Sequence, residues 1–189
     1  AAGLSYKNAA DYIQGKEDHV SIAAINSPTS VTFSGDPQCL ESIAASLEEQ
    51  GIFCKFLSVN YAFHSPKMDP IREILISSLE RIQLRKATIP MISSVTGQEV
   101  NGPELKSTYW WQNVRQSVRF ADAIDQLIDQ NVTIFVEISP HPVLAHSIKE
   151  CLCYRKKDAC VVSSLRRQAE EKLNILGSLA TLYSTGYPV

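Results

Sequence analysis

The opening sixty residues constrain the fold most, because helical and extended patterns alternate there with a turn signal at each change. Ser5 is placed to cap a short helix through about Gln14, with Leu4 and Ala9 set as a small hydrophobic staple. Val20-Ser21-Ile22-Ala23-Ala24-Ile25 and Ser30-Val31-Thr32-Phe33-Ser34 flank the turn Asn26-Ser27-Pro28-Thr29. Their β-branched and aromatic content reads as two strands joined by a loop. Asp36 and Pro37 supply an N-cap and a first-turn proline, Leu40, Ile43, Ala44 and Leu47 recur at helical spacing, and Gly51 closes the helix. Phe53 to Val59 reads as another strand. With one further strand at the start, the order is β-α-β-β-α-β, which predicts a ferredoxin-like lobe over residues 1–60.

Downstream, Ser65-Pro66 opens a predicted long helix with Met68, Ile71, Ile74, Leu75, Leu79 and Ile82 on one face. Met91 to Val95 predicts a short strand ending at Thr96-Gly97. Phe120, Ala123, Ile124, Leu127 and Ile128 mark a second amphipathic helix. Ile134 to Ile138 is a nearly continuous apolar run, as expected of a strand buried on both faces of a parallel sheet. A helix from Pro142 to about Cys153, a strand from Cys160 to Ser163 and a helix from Glu170 to Tyr183 complete the pattern, with Gly186 beyond it. The fold class expected is α/β.

Composition narrows the function classes. Of the 189 residues 44% are hydrophobic and 20% charged, and the net charge of −2 gives no reason to expect nucleic acid or an anionic membrane as a partner. No stretch approaches the roughly 20 apolar residues of a membrane helix. Ala1-Ala2-Gly3-Leu4-Ser5 has neither a starting Met nor the regions of a secretory leader, so the sequence is expected to be part of a longer protein. The five cysteines form no C-x-x-C pair and are odd in number, which argues against a zinc site or a disulfide framework. Free packing thiols and a cytoplasmic location are the expectation.

Among the four histidines, His19 lies in a polar loop, and His141 and His146 are five apart, off the i, i+4 spacing of two ligands on one helix face. His64 stands apart because it ends Asn60-Tyr61-Ala62-Phe63, leaves a predicted strand and directly precedes a helix start. A loop histidine is in general more often structural than catalytic, so position alone makes His64 a candidate base.

Five segments then carry a family resemblance. Val59-Asn60-Tyr61-Ala62-Phe63-His64-Ser65-Pro66-Lys67-Met68 closely resembles the motif around the catalytic histidine of polyketide synthase acyltransferases. Ala23-Ala24-Ile25-Asn26-Ser27-Pro28, with Val31-Thr32-Phe33-Ser34-Gly35-Asp36, resembles the paired strands of that family's small subdomain. Tyr109-Trp110-Trp111-Gln112-Asn113-Val114-Arg115-Gln116 with Val118-Arg119-Phe120 is similar to its Tyr-Trp…Asn-Leu-Arg…Val-Arg-Phe stretch. Glu137-Ile138-Ser139-Pro140-His141-Pro142-Val143-Leu144 is similar to its Glu-Ile-Gly-Pro-His-Pro-Val-Leu motif, with Ser139 in place of glycine. Ser163-Ser164-Leu165-Arg166-Arg167 and the helix after it resemble the linker that follows the domain. In this order, the motifs make the chain resemble the C-terminal portion of a malonyl-CoA:acyl carrier protein transacylase-like domain of a modular type I polyketide synthase.

The resemblance implies a ferredoxin-like small subdomain over residues 1–60, the C-terminal part of an α/β hydrolase-like large subdomain over 61–162, and a post-acyltransferase linker over 163–189. It implies that His64 is the catalytic base of a Ser-His dyad, with Asn26, Ser139 and His141 as supporting motif residues. No metal and no covalently bound cofactor is implied. Coenzyme A thioester is the implied substrate and the phosphopantetheine of an acyl carrier protein the acceptor. The partners implied are the carrier protein, the ketosynthase and other domains of the same synthase. In the family, the four residues ending at the histidine correlate with extender unit: Tyr-Ala-Ser-His goes with methylmalonyl and His-Ala-Phe-His with malonyl. Tyr61-Ala62-Phe63-His64 mixes the two. Phe63 would crowd an α-methyl group, a discrimination of roughly 1–3 kcal/mol, which favours malonyl-CoA over methylmalonyl-CoA.

One departure matters. The 189 residues contain no G-x-S-x-G, and the arginine that pairs with the malonyl carboxylate in the family has no counterpart in them. The chain alone is therefore expected to be inactive and to expose apolar surface. The rival reading is a non-catalytic docking or scaffold module of a megasynthase. A stand-alone malonyl transferase and a generic α/β domain fit the motifs less well.

Overall fold

The computed structural model describes residues 1–188. They form two compact units, Ala1–Gln126 and a second from Leu127 onward.

The first unit begins as the caps and periodicities require. Ser5 Oγ accepts the Asn8 N–H and starts helix α1 (Tyr6–Ile13). Strands β1 (Val20–Ser27) and β2 (Ser30–Gly35) pair antiparallel, with Val20 opposite Gly35 and Ser27 opposite Ser30. Gly35 is required where it stands, since a Cβ there would lie 2.1 Å from the His19 carbonyl oxygen. Asp36 Oδ1 accepts the Gln38 N–H and opens helix α2 (Pro37–Glu49), whose last turn is followed by Gly51 at φ 67°. Leu4, Val20, Ile22, Val31, Ile43 and Leu47 form the core between these elements. Each fully buried aliphatic side chain contributes about 1.5–3 kcal/mol.

Two expectations fail here. Phe53–Val59 is not a strand: only Cys54 makes a bridge, to Ala2, which also bridges Val31. The partner backbone is too short for a ladder, and Phe53, Phe56, Leu57 and Val59 all stay exposed. The long helix after Ser65 is instead a 3-10 helix (Pro66–Ile71) followed by α3 (Arg72–Leu79), neither with a buried residue. Pro70 inside the first of these has no N–H to give an α-helical ladder.

A two-residue hairpin, β3 (Met91–Ile92) and β4 (Glu99–Val100), then leads to α4 (Ser107–Arg115), where Tyr109 Oη lies 2.8 Å from the buried Ser93 Oγ. The division between units falls inside α5 (Phe120–Asp129), whose Ala121, Ala123, Ile124 and Ile128 are buried.

In the second unit β5 (Ile134–Glu137) and β6 (Cys160–Ser163) pair in parallel, with Ile134 opposite Cys160 and Glu137 opposite Ser163. They are joined through α6 (Ala145–Tyr154), which buries Ile148, Cys151 and Leu152. The strand is not buried on both faces, because Val136 is 49% exposed. Helix α7 (Glu171–Ser184) is capped by Glu170, which accepts from Lys172 N and Leu173 N. The fold is mixed α/β, as the alternation of patterns predicts.

Among the described residues, no helix is long and apolar enough to cross a membrane. Cys39 and Cys54 pack against the first core and Cys151 is buried, whereas Cys153 is exposed.

Candidate functional site

His64 sits at the junction between the irregular segment after Cys54 and the 3-10 helix that Ser65 caps. Ser65 is fully buried, its hydroxyl donating to the Ala62 carbonyl (2.7 Å) and accepting the Lys67 N–H (3.3 Å). This tight turn leaves His64 at φ 64°, a left-handed conformation uncommon for a residue with a side chain. Two hydrogen bonds hold it there. The His64 N–H donates to the Val114 carbonyl (2.8 Å), and Nδ1 lies 2.8 Å from the Gln116 carbonyl oxygen.

A carbonyl only accepts, so Nδ1 carries the hydrogen, and in the neutral ring Nε2 keeps the free lone pair. The acceptor itself is fixed. Ser117 Oγ donates to the Ile22 carbonyl, Val118 N–H to Ala23, and Ile25 N–H to Val118, so the segment after Gln116 lies parallel against β1. Next to Gln116 in the chain, Arg115 Nε reaches Asp69 Oδ1 at 2.8 Å.

His64 is the one residue that lines both of two neighbouring cavities. The larger, about 990 Å³, is bounded by Phe33, Leu40, Tyr61, Ala62, Phe63 and Met68 among others. The smaller, about 360 Å³, is bounded by Ser21, Val95, Arg115, Gln116, Ser117 and Arg119. Tyr61 and Phe63 stack at a tilt with ring centroids 5.4 Å apart, and Phe63 lies 6.4 Å from the His64 ring. Three of the sequence-predicted residues, Tyr61, Ala62 and Phe63, therefore share a cavity wall with His64. Asn26 does not; its Nδ2 donates to Thr32 Oγ1 (3.1 Å), a cross-strand tie of the hairpin.

Ser139 and His141 belong to the second unit, where they surround a carboxylate that sequence reasoning missed. Glu137 is 6% exposed and accepts the N–H groups of Val143, Leu144 and Ala145, at 2.8, 3.1 and 2.9 Å. Ser139 Oγ lies 3.1 Å from Glu137 Oε1 and 2.8 Å from the His141 carbonyl, two acceptors for one hydroxyl proton. His141 Nδ1 accepts the Arg167 N–H (3.2 Å), so this ring nitrogen serves the loop. Burial pushes the Glu137 carboxyl up, but the three backbone bonds and the Ser139 hydroxyl outweigh it and hold the group below the ordinary carboxylate range. The signal available in the sequence was an acid closing an apolar strand eight residues before a helix. The pairing of Asp69 with Arg115 spans 46 residues and that of His64 with Gln116 spans 52, separations that no local pattern reports.

Among the described residues no group of three or more His, Cys, Asp or Glu side chains is disposed to hold a metal ion. The site is an imidazole that lines two cavities and whose Nε2, in the neutral ring, can take a proton and return it.

Residues 1–189 match the model of the family described as "Acyl transferase domain". Erythronolide synthase EryA2 of Saccharopolyspora erythraea is 35% identical over 175 residues, which are 92% of this chain and 5% of that protein. The acyltransferase domain from module 8 of the salinomycin polyketide synthase superimposes with a TM-score of 0.96 at 34% identity, covering all of this chain and 44% of the other. The acyltransferase domain of SpnD, solved in complex with 2-(pent-4-yn-1-yl)malonyl, gives a TM-score of 0.89 at 26% identity over 98% of this chain and 45% of the other. The chain thus spans a small part of this curated relative and less than half of these two solved domains. On the full-length family match, and on its likeness to acyltransferase domains of modular type I polyketide synthases, the chain belongs to the acyl transferase domain family.

Proposed function

We propose that this chain supplies the general base of a polyketide synthase acyltransferase that loads a malonyl-type extender unit from coenzyme A onto an acyl carrier protein. The observation that carries the reading is the His64 Nδ1 contact with the Gln116 carbonyl at 2.8 Å, which leaves Nε2 to act, on a ring that lines two cavities. The nucleophilic serine belongs to a segment outside these 189 residues. As its Oγ attacks the thioester carbonyl, His64 Nε2 takes the hydroxyl proton and then returns it to the departing coenzyme A sulfur. In the second half, Nε2 takes the proton of the incoming phosphopantetheine thiol, the sulfur attacks the acyl-serine ester, and serine Oγ regains the proton. The chain alone is inactive because it holds one member of the dyad.

Incubation with labelled malonyl-CoA tests this, with the chain alone and then with a serine-bearing acyltransferase segment. Label on the serine only when both pieces are present supports the assignment. No label with both pieces folded and associated would sink it and favour a docking role.

The residues before His64 act on substrate choice. Phe63, tilted against Tyr61 on the wall of the larger cavity, narrows the space for an α-substituent and favours malonyl over methylmalonyl. Phe63→Ser is expected to raise methylmalonyl use relative to malonyl by roughly 10–200-fold, the effect of about one methylene-sized group. Competition between the two thioesters in the reconstituted enzyme measures it, and an unchanged ratio refutes the crowding.

The same reading covers organisation. The Ala2 bridges to Val31 and Cys54 extend the hairpin into a four-segment antiparallel order, which supports a ferredoxin-like small subdomain over residues 1–60. Residues 61–162 then belong to an α/β hydrolase-like large subdomain and 163–189 to the linker after it. Its partners are the carrier protein, the ketosynthase and the other domains of the synthase, in the cytoplasm.

A further inference from the structure

We propose that Asp69 and Arg115 are positioning residues for His64, forming a latch that holds the imidazole against the Gln116 carbonyl; this rests on His64 being the base. Three consecutive residues of one segment grip the other segment at three points. The Val114 carbonyl accepts the His64 N–H, the Gln116 carbonyl accepts Nδ1–H, and between them Arg115 Nε donates to Asp69 Oδ1, each at 2.8 Å. The middle point is the only one made by two side chains.

The two segments are unequally anchored. The acceptor side is tied to β1 through Ser117 and Val118, so the Gln116 carbonyl has a fixed place. The histidine side has little of its own: the 3-10 helix after Ser65 buries no side chain, and His64 is held at φ 64°, a conformation that neighbours must impose. A guanidinium pinned to Asp69, five residues beyond the ring, supplies that restraint through the 3-10 helix. Exposed ion pairs contribute little to global stability, so removing this one leaves the fold in place while loosening the ring.

The same helix carries an internal control. Lys67 Nζ reaches Asp36 Oδ2 at 3.2 Å, an ion pair directed to the start of α2, away from residues 114–116. It tethers the helix without gripping the histidine's partner.

Nitrogen-15 NMR of the histidine-labelled chain reads the latch without catalysis. The wild-type ring is expected to carry its hydrogen on Nδ1. Asp69→Asn and Arg115→Gln are each expected to give mixed tautomers and faster exchange of that hydrogen, and Lys67→Ala is not. The swapped pair Asp69→Arg with Arg115→Asp is expected to recover the single tautomer. With the serine-bearing segment added, single-turnover acylation falls about tenfold in both single variants, a fraction of the roughly 10²–10⁴-fold a positioned base supplies, with KM unchanged. An unaltered tautomer and rate in Asp69→Asn overturns the latch, as does an equal effect of Lys67→Ala. A KM increase confined to Arg115→Gln overturns it in favour of a direct substrate contact. If His64→Ala retains full acylation, the base assignment fails instead, and the tautomer measurement still reports on the latch.

Discussion

His64→Asn lowers acylation of the serine by about 10²–10⁴-fold in the reconstituted enzyme, the span expected for loss of a positioned general base. Asparagine is the informative replacement because His64 sits at φ 64°, and Asn tolerates that conformation better than other side chains. The turn at Ser65 and the N–H bond to Val114 then persist while the proton acceptor is gone. His64→Ala removes the base equally but adds backbone strain. Agreement between the two variants would tie the loss to the ring, and added imidazole is expected to return part of the rate to His64→Ala. A single-turnover burst with labelled malonyl-CoA measures all three. A burst unchanged in His64→Asn would remove His64 from the chemistry.

Glu137→Ala is the substitution expected to destabilise the second unit most, by about 3 kcal/mol, since it strands backbone donors at the start of α6 that now share one carboxylate. Hydrogen exchange across Ile148–Leu152 reports the loss locally, which a melt of the whole chain would blur. The pH dependence has a definite sign. The folded carboxyl titrates below its unfolded value, so its contribution is complete above the ordinary glutamate pKa of ~4.3 and is lost as pH falls through the lower folded value. Between about pH 5 and 8 this group makes stability flat. Acidification below about pH 4 is expected to speed exchange in α6 of the wild type, and Glu137→Gln is expected to lose that acid step while starting less protected. An identical acid profile in both proteins would remove Glu137 as its origin.

Much of the first lobe could be read directly from its residues. The caps at Ser5 and Asp36, the turn between Ser27 and Ser30, and the spacing of Ile43, Ala44 and Leu47 all act within a few residues of themselves, and the structure follows them. The errors came where a local pattern needed a distant partner. Phe53–Val59 has the composition of a strand, but a strand exists only beside another, and Ala1–Gly3 is too short a neighbour. Residues 66–82 have helical spacing, but Pro70 removes an N–H that an α-helix needs at that point. Ile134–Ile138 is apolar apart from Glu137, yet with β6 as its partner Val136 remains half exposed.

The site divides along the same line. Sequence singled out His64 and its neighbours Tyr61, Ala62 and Phe63, because a motif is a contiguous string and these residues are contiguous. It also determined the helix caps and the α/β class, through backbone preferences that operate over one or two turns. What makes His64 a defined tautomer is the Gln116 carbonyl, 52 residues away, held in place by β1 and preceded in the chain by Arg115, whose partner is Asp69. Backbone carbonyls have no identity in a sequence, and their direction is known only once the chain has folded around them. Glu137 follows the same rule: its letter marks an acid, and only the fold turns three N–H groups toward it.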